Sequence, residues 1–264
     1  MGDVMSQDDQ SSMHGFQGHS PEQVDAFTTK VISALRDRKT VGTEGVRQFV
    51  LEHLVRAVLM RGEFDPVGVL EELRDHRLTY DAIIDLYVPD AARALGVAWI
   101  EDDVSFADVT IGTLRLQSVL SEAAAESQAF LATVETRLGT LIIVPQGEQH
   151  FLGVSVLTAQ LRGMGCKVAV SFDEEPKFLG ARLIVESPDL VLITCSRAET
   201  LASVCETVHI VRATLPAGPV IALGGAMEAE KTTIMEKTGV DIVTSVAREA
   251  VEFCAKRGKV QRHP

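Results

Sequence analysis

Leu141-Ile142-Ile143-Val144-Pro145-Gln146-Gly147-Glu148-Gln149-His150-Phe151-Leu152-Gly153-Val154-Ser155-Val156-Leu157 decides the fold. An aliphatic run breaks at a proline and a glycine, crosses a short polar loop, and resumes as an apolar stretch of helical character. That order reads as strand, loop and helix. The loop carries an imidazole, His150, with a carboxylate two residues before it and a glycine three residues after it. An open α/β sheet binds its ligand at the carboxyl ends of its strands. A histidine oriented by a neighbouring carboxylate is set up as a metal ligand.

Downstream the same alternation repeats. Strands are expected over 140–144, 167–172, 190–194, 220–223 and 241–244, with helices over 152–163, 177–186, 198–213, 228–237 and 246–257. Apolar strands alternating with helices imply a parallel sheet covered on both faces. Right-handed crossovers then give a doubly wound, flavodoxin-like (Rossmann-type) five-stranded domain. Upstream the period is helical. Val24, Phe27, Val31, Ile32 and Leu35 recur at helical spacing, as do Val46, Phe49, Val50, Leu54, Val55 and Val58. Asp65-Pro66 opens a third helix through Val69, Leu70 and Leu73, a polar cap with proline at the first helical position. A fourth runs from Thr79 to Val88, where Pro89 is expected to interrupt or kink it before it resumes towards Leu95. A long fifth covers about 106–133, with Val109, Leu114, Leu116, Val119 and Leu120 as its apolar positions. The chain therefore divides into a disordered tail over 1–21, a helical bundle over 22–137 and an α/β domain over 138–264.

Of the 264 residues, 46% are apolar, enough for a substantial core. No uninterrupted apolar stretch of about 18 residues exists, and the first residues lack a signal peptide's basic and apolar regions, so a cytoplasmic protein is expected. The net charge of −12 argues against direct, non-specific binding to nucleic acid. Lys256, Arg257, Lys259 and Arg262 read as a solvated tail, Glu101-Asp102-Asp103 and Asp173-Glu174-Glu175 as solvated loops, and His14 and His19 as residues of the tail. Cys166, Cys195, Cys205 and Cys254 have no zinc or dithiol spacing and are expected to be reduced, with Cys195 alone on a ligand-facing loop. No serine–histidine–carboxylate order, P-loop or paired-carboxylate site stands out, and no enzymatic activity of the chain itself is expected.

Three loops meet at the expected switch point: Gln146 to His150, Thr194-Cys195-Ser196 and Gly224-Gly225-Ala226. Hydroxyl residues line a slot and donate hydrogen bonds, and paired glycines admit a flat group close to the backbone. Taken singly, each has a plain alternative: a solvated loop histidine, an ordinary turn, a helix-start glycine that eases packing.

Together, and in this order, they resemble the cobalamin-binding domain, whose signature is Asp-x-His-x-x-Gly, Ser-x-Leu and Gly-Gly. Here the elements are Glu148-x-His150-x-x-Gly153, Thr194-x-Ser196 and Gly224-Gly225. The resemblance implies that His150 is the lower cobalt ligand, in place of the cofactor's own dimethylbenzimidazole, and that Glu148 orients it. It implies that Gly153 clears the displaced nucleotide tail, that Thr194 contacts the base, and that Gly224 and Gly225 flank it. Gln149, Ser155 and Leu157 complete the expected cofactor-binding set on the same loop and helix. Glu replaces Asp, Thr replaces Ser, and Ser196 stands where Leu is usual, which makes the slot wall more polar.

In light-sensing members a helical cap carries a Trp near the upper cobalt ligand, followed ten residues later by a Glu-His pair. Trp99, the only tryptophan, matches the first and is alternatively a core residue. The pair's positions hold Val109-Thr110, so the upper-face histidine is missing. Over about 45–257 the chain resembles most the AerR/PpaA group of photosynthesis regulators. That implies a light-responsive photoreceptor holding hydroxo- or adenosylcobalamin, which acts by protein contact on a DNA-binding transcriptional repressor. A corrinoid methyl carrier serving a methyltransferase, and a heme sensor with iron on His150, are the alternatives.

Overall fold

Five short apolar runs pair side by side, all parallel, in the order β2-β1-β3-β4-β5. They are β1 (Gly139–Val144), β2 (Lys167–Phe172), β3 (Leu190–Thr194), β4 (Val220–Gly224) and β5 (Ile242–Val243). The computed structural model describes residues 45–131, 138–148, 151–216, 218–225 and 231–261. The tail over 1–21, the periodic stretch from Val24 to Leu35 and the expected boundary at 137 lie outside the described residues.

Before the sheet come α1 (Gln48–Leu59), α2 (Pro66–Asp75), α3 (Tyr80–Ala82), a π-helical segment (Ile83–Tyr87), α4 (Val88–Ile100) and α5 (Phe106–Leu131). Their ends are set by local chemistry. Asp65 caps α2 by accepting from the Val67 N–H at 3.1 Å, with Pro66 in the first turn. Thr79 caps α3 through the Ala82 N–H. Ser105 and Asp108 exchange backbone bonds at the start of α5, a capping box with aspartate in the usual glutamate position. Pro89 does not interrupt the fourth helix. The wider π turn immediately before it takes up the missing N–H, and α4 continues. Two other expectations change. Phe49 and Leu114 fit the apolar periodicity, yet both are exposed, Phe49 standing edge-on to His76.

Helices α6 (Phe151–Gly163), α7 (Pro176–Glu186), α8 (Leu201–Thr214), α9 (Lys231–Thr238) and α10 (Ala247–Gln261) cover the sheet, with a 3-10 turn (Ala198–Thr200) leading into α8. Side chains alternate across each strand. Ile142, Val144, Leu190 and Leu192 pack with α6 and α10 through Val154, Leu161, Ala250 and Cys254. Leu141, Ile143, Val191 and Ile193 pack on α7, α8 and α9 through Leu179, Leu183, Val204, Val208 and Ile234. All four cysteines are free thiols, and burial pushes Cys166 up and Cys254 up to about 11.

Helix α6 belongs to two cores. Its Val154, Leu157 and Leu161 face the sheet, while Leu152, Val156 and Ala159 sit among the bundle's buried residues. Burying side chains of this size stabilises by about 1.5–3 kcal/mol each, so bundle and sheet are joined along one helix.

At the opposite end of the sheet, Asp241 locks β5 to its neighbours. Its carboxylate accepts from the Ile221 N–H at 2.8 Å and from the Arg212 and Arg257 guanidinia at 2.6 Å each. Burial alone raises its pKa, but these donors outweigh burial and hold it below the ordinary value. A carboxylate with a depressed folded pKa contributes stability above its unfolded pKa and loses it as pH falls through the folded value. Asp241→Ala is therefore expected to cost about 2–3 kcal/mol at neutral pH, and the difference from the unsubstituted chain is expected to shrink in acid. Urea denaturation at both pH values measures it, and an equal loss at acid pH contradicts the assignment.

Candidate functional site

The loop after β1 is short, and its described end is held in place. Glu148 donates its N–H to the Pro145 carbonyl, and Gly147 takes φ +84°, a left-handed turn that favours glycine. The Glu148 side chain is buried and reaches the loop after β3, where its carboxylate accepts from the Ser196 N–H at 2.8 Å and the Ser196 hydroxyl at 2.8 Å. The Arg197 guanidinium adds a second tie, to the Gly147 carbonyl at 2.6 Å. Two loops 48 residues apart in sequence are thus one unit. Ser196 spends its hydroxyl on Glu148 and does not make a slot wall more polar. Gln149 and His150, between Glu148 and α6, lie outside the described residues.

Removing the Ser196 hydroxyl leaves the buried carboxylate with a poorer set of donors. Ser196→Ala is expected to lower stability by about 1–2 kcal/mol, read from a urea transition. An unchanged midpoint contradicts the role given to this contact.

Thr194 ends β3 and pairs directly with Gly224 at the end of β4, so the second and third signature elements are neighbours in the sheet. Alternation turns the Thr194 side chain to the α6 and α10 face. Its hydroxyl is buried and has no hydrogen-bond partner among the described residues. A buried unsatisfied hydroxyl costs on the order of 1–3 kcal/mol, which marks the atom as one that waits for a partner. Cys195 turns the other way. It is fully buried against the helices of the opposite face, with its thiol on the Arg197 carbonyl at 3.3 Å and the Thr200 hydroxyl at 3.1 Å. It does not face a ligand at the loop.

The glycines have different reasons. A Cβ on Gly225 would stand 1.7 Å from the Cys195 carbonyl oxygen, and φ there is +146°. Its bareness lets β3 and β4 close, with the Cys195 N–H on the Gly224 carbonyl at 2.7 Å. A Cβ on Gly153, in the first turn of α6, meets no described atom beyond its own helix within 4 Å, so its bareness answers to no packing against the described residues. A small cavity of about 100 Å³, lined by Cys195, Leu223, Gly224, Gly225, Lys231 and Ser245, opens on the face away from Thr194. Leu157 packs in the core beside the sheet. Ser155 donates to the Phe151 carbonyl and receives the Gln117 amide of α5 at 3.3 Å.

That last contact places α5. Gln117 is level with the first turn of α6, at the carboxyl edge of the sheet. From there α5 runs towards Leu131, and the chain enters β1 at its amino end. Residues 106 to 116 extend about 16 Å along the helix from that contact, at 1.5 Å per residue, in the direction away from Leu131. Phe106, Thr110 and Leu114 share the helix face of Gln117 by i, i+4 spacing. Phe106 is 71% exposed and Leu114 59%, while Trp99 is 49% exposed with its ring 6.2 Å from that of Phe106. Trp99 is not a core residue of the bundle. At the edge below, the exposed rings of Phe151 and Phe172 lie 5.7 Å apart. Exposed apolar surface gathered round one edge marks a binding site. The Thr110 hydroxyl is bonded to the Phe106 carbonyl of its own helix at 2.7 Å. Among the described residues no cluster of His, Cys, Asp and Glu could hold a metal ion, and no helix is long and apolar enough to cross a membrane.

No family model matches the chain. It is 29% identical over 177 residues to an uncharacterized 20.5 kDa protein in the bchF-crtJ intergenic region of Rhodobacter capsulatus, covering 67% of this chain and 92% of that one. Among solved structures it is similar to the monomethylamine corrinoid protein of Methanosarcina barkeri, at TM-score 0.64 and 13% identity over 80% of this chain and 100% of that chain. A cobalamin-binding protein from Desulfitobacterium hafniense aligns at TM-score 0.41 and 15% identity, over 79% of this chain and 96% of that one. The first of these structural likenesses establishes the fold: a helical cap followed by a Rossmann-like parallel sheet.

Proposed function

We propose that the chain is a light-responsive cobalamin-binding regulator that acts by contact with a DNA-binding transcriptional repressor and performs no catalysis of its own. The observation that carries the reading is the Thr194 hydroxyl, buried and unpartnered beside Gly224. It suits an acceptor such as the ring nitrogen of a displaced nucleotide base. The residues around it fit the same group. His150, next to the loop that Glu148 and Ser196 fasten, would supply a nitrogen to the cobalt. Gly153 leaves open space at the helix start. Trp99, Phe106 and Leu114 would offer an apolar wall that excludes water from the cofactor. A bound cobalamin would supply the light-absorbing chemistry at this site.

What this chain's residues do next is mechanical. Helix α6 begins at the site and is packed on one side to the sheet and on the other to the bundle. A shift in its first turn is therefore felt by both cores. A ligand moves such an equilibrium only by the difference in its affinity for the two arrangements, so dark and lit cofactor must differ in their contacts with the wall on α4 and α5. The charge of −12 favours contact with a protein over contact with DNA. The Rhodobacter capsulatus relative, described by its place between bchF and crtJ, supports a setting among photosynthesis genes.

The test is an absorption spectrum of protein purified from cells supplied with hydroxocobalamin, taken before and after illumination, with repressor capture in both states. A corrinoid spectrum that changes with light, and capture that changes with it, is expected. A heme Soret band in place of a corrinoid spectrum overturns the cofactor. Methyl transfer from a methylated donor, with no capture of a repressor in either state, overturns the regulatory role in favour of a methyl carrier.

A further inference from the structure

We propose that the chain forms a two-fold symmetric dimer through the outer edge of β2 and the adjoining side of α7. This inference is independent of the cofactor. Among the described residues, β2 ends the sheet and pairs only with β1, so its other edge presents a row of backbone N–H and C=O groups without a partner strand there. Natural edge strands are normally blunted by proline, a bulge or a charge within the strand. β2 has none of these between its ends: Val168, Ala169, Val170 and Ser171 follow one another, the first three only half-buried.

Helix α7 extends the surface. It begins just past the carboxyl end of β2 and runs back along it. Its Leu179 and Leu183 are buried against the sheet. Its Arg182 reaches Glu174, just beyond β2, at 2.7 Å, which identifies the side of the helix turned to the strand. Phe178 and Val185 lie on that side by i, i+4, i+7 spacing, and they are 53% and 81% exposed. An apolar stripe thus borders an open strand edge.

The charge pattern selects the occupant. Lys167 starts β2 and Asp173 follows its end. Both are exposed, and neither makes an ion pair with any described residue. A second copy pairing antiparallel, with the axis at Val170, sets each Lys167 opposite the partner's Asp173. Val170 and the point midway between Phe178 and Val185 both lie about 7–8 Å from the carboxyl end of β2. The same axis therefore brings Phe178 against the partner's Val185, twice. Backbone edge, charge and apolar stripe are all satisfied by one isologous contact.

Light scattering on the full chain after size exclusion tests this. The expected mass is twice 28.6 kDa. Val185→Glu places two charges in the contact and is expected to return the mass to 28.6 kDa with an unchanged circular dichroism spectrum. Phe178→Glu carries the same test should Val185→Glu misfold. Lys167→Glu is expected to weaken the dimer several-fold at low ionic strength, with a smaller effect in high salt. A mass of 28.6 kDa for the unsubstituted chain at every concentration overturns the proposal, as does a doubled mass that survives both Glu substitutions on α7.

Discussion

Gly225→Val is expected to cost more than about 4 kcal/mol, at the extreme of what one substitution does. Two effects combine. The new Cβ would fall 1.7 Å from the Cys195 carbonyl oxygen, which is backbone and has no rotamer to yield, and φ +146° is a conformation that a β-branched residue does not adopt. Relief requires β3 and β4 to part at Thr194 and Gly224, at the centre of the sheet. Gly153→Ala is the contrast. Its Cβ meets no described atom beyond its own helix within 4 Å, and the change is expected to stabilise the cofactor-free chain by about 0.5–1 kcal/mol through helix propensity, while weakening cobalamin binding. Urea transitions on the two variants, with and without hydroxocobalamin, separate a glycine the fold requires from one the ligand requires. A Gly225→Val transition within 1 kcal/mol of the unsubstituted chain, by the order of effect expected for surface changes, contradicts the packing argument.

His150→Ala is expected to weaken retention of cobalamin on the order of a hundredfold, by loss of the only proposed protein ligand to cobalt. The fold should survive, because Glu148, Ser196 and Arg197 fasten the loop. Equilibrium dialysis of the folded variant measures the loss. Retention equal to that of the unsubstituted chain makes His150 a plain loop residue and leaves cobalt without its ligand.

The parallel sheet was legible because Leu141 to Val144, Leu190 to Thr194 and Val220 to Leu223 are apolar on both faces, which only a covered central strand requires. The bundle was legible as helices but not as a surface. Periodicity assigns Phe49 and Leu114 to a core, and nothing local says that this side of each helix stays exposed. Helix α6 is apolar on both sides, so its sequence shows burial without showing which side meets the sheet and which the bundle. The tie between Glu148 and Ser196 joins positions that no short pattern connects. The facing of Cys195 was within reach: if Thr194 looks to one side of the sheet, alternation sends its neighbour to the other. The unpartnered Thr194 hydroxyl needed coordinates, since only the surrounding atoms reveal that nothing within the described chain bonds it.

The central claim is that a protein imidazole bonds cobalt from below while the nucleotide base lies elsewhere. Electron paramagnetic resonance of the bound corrinoid in its cobalt(II) state tests it on protein grown with nitrogen-15 histidine. The account predicts that the nitrogen splitting of the cobalt signal changes from a triplet to a doublet on labelling and is absent in His150→Ala. A triplet that persists in the labelled protein would come from the cofactor's own base and would contradict it.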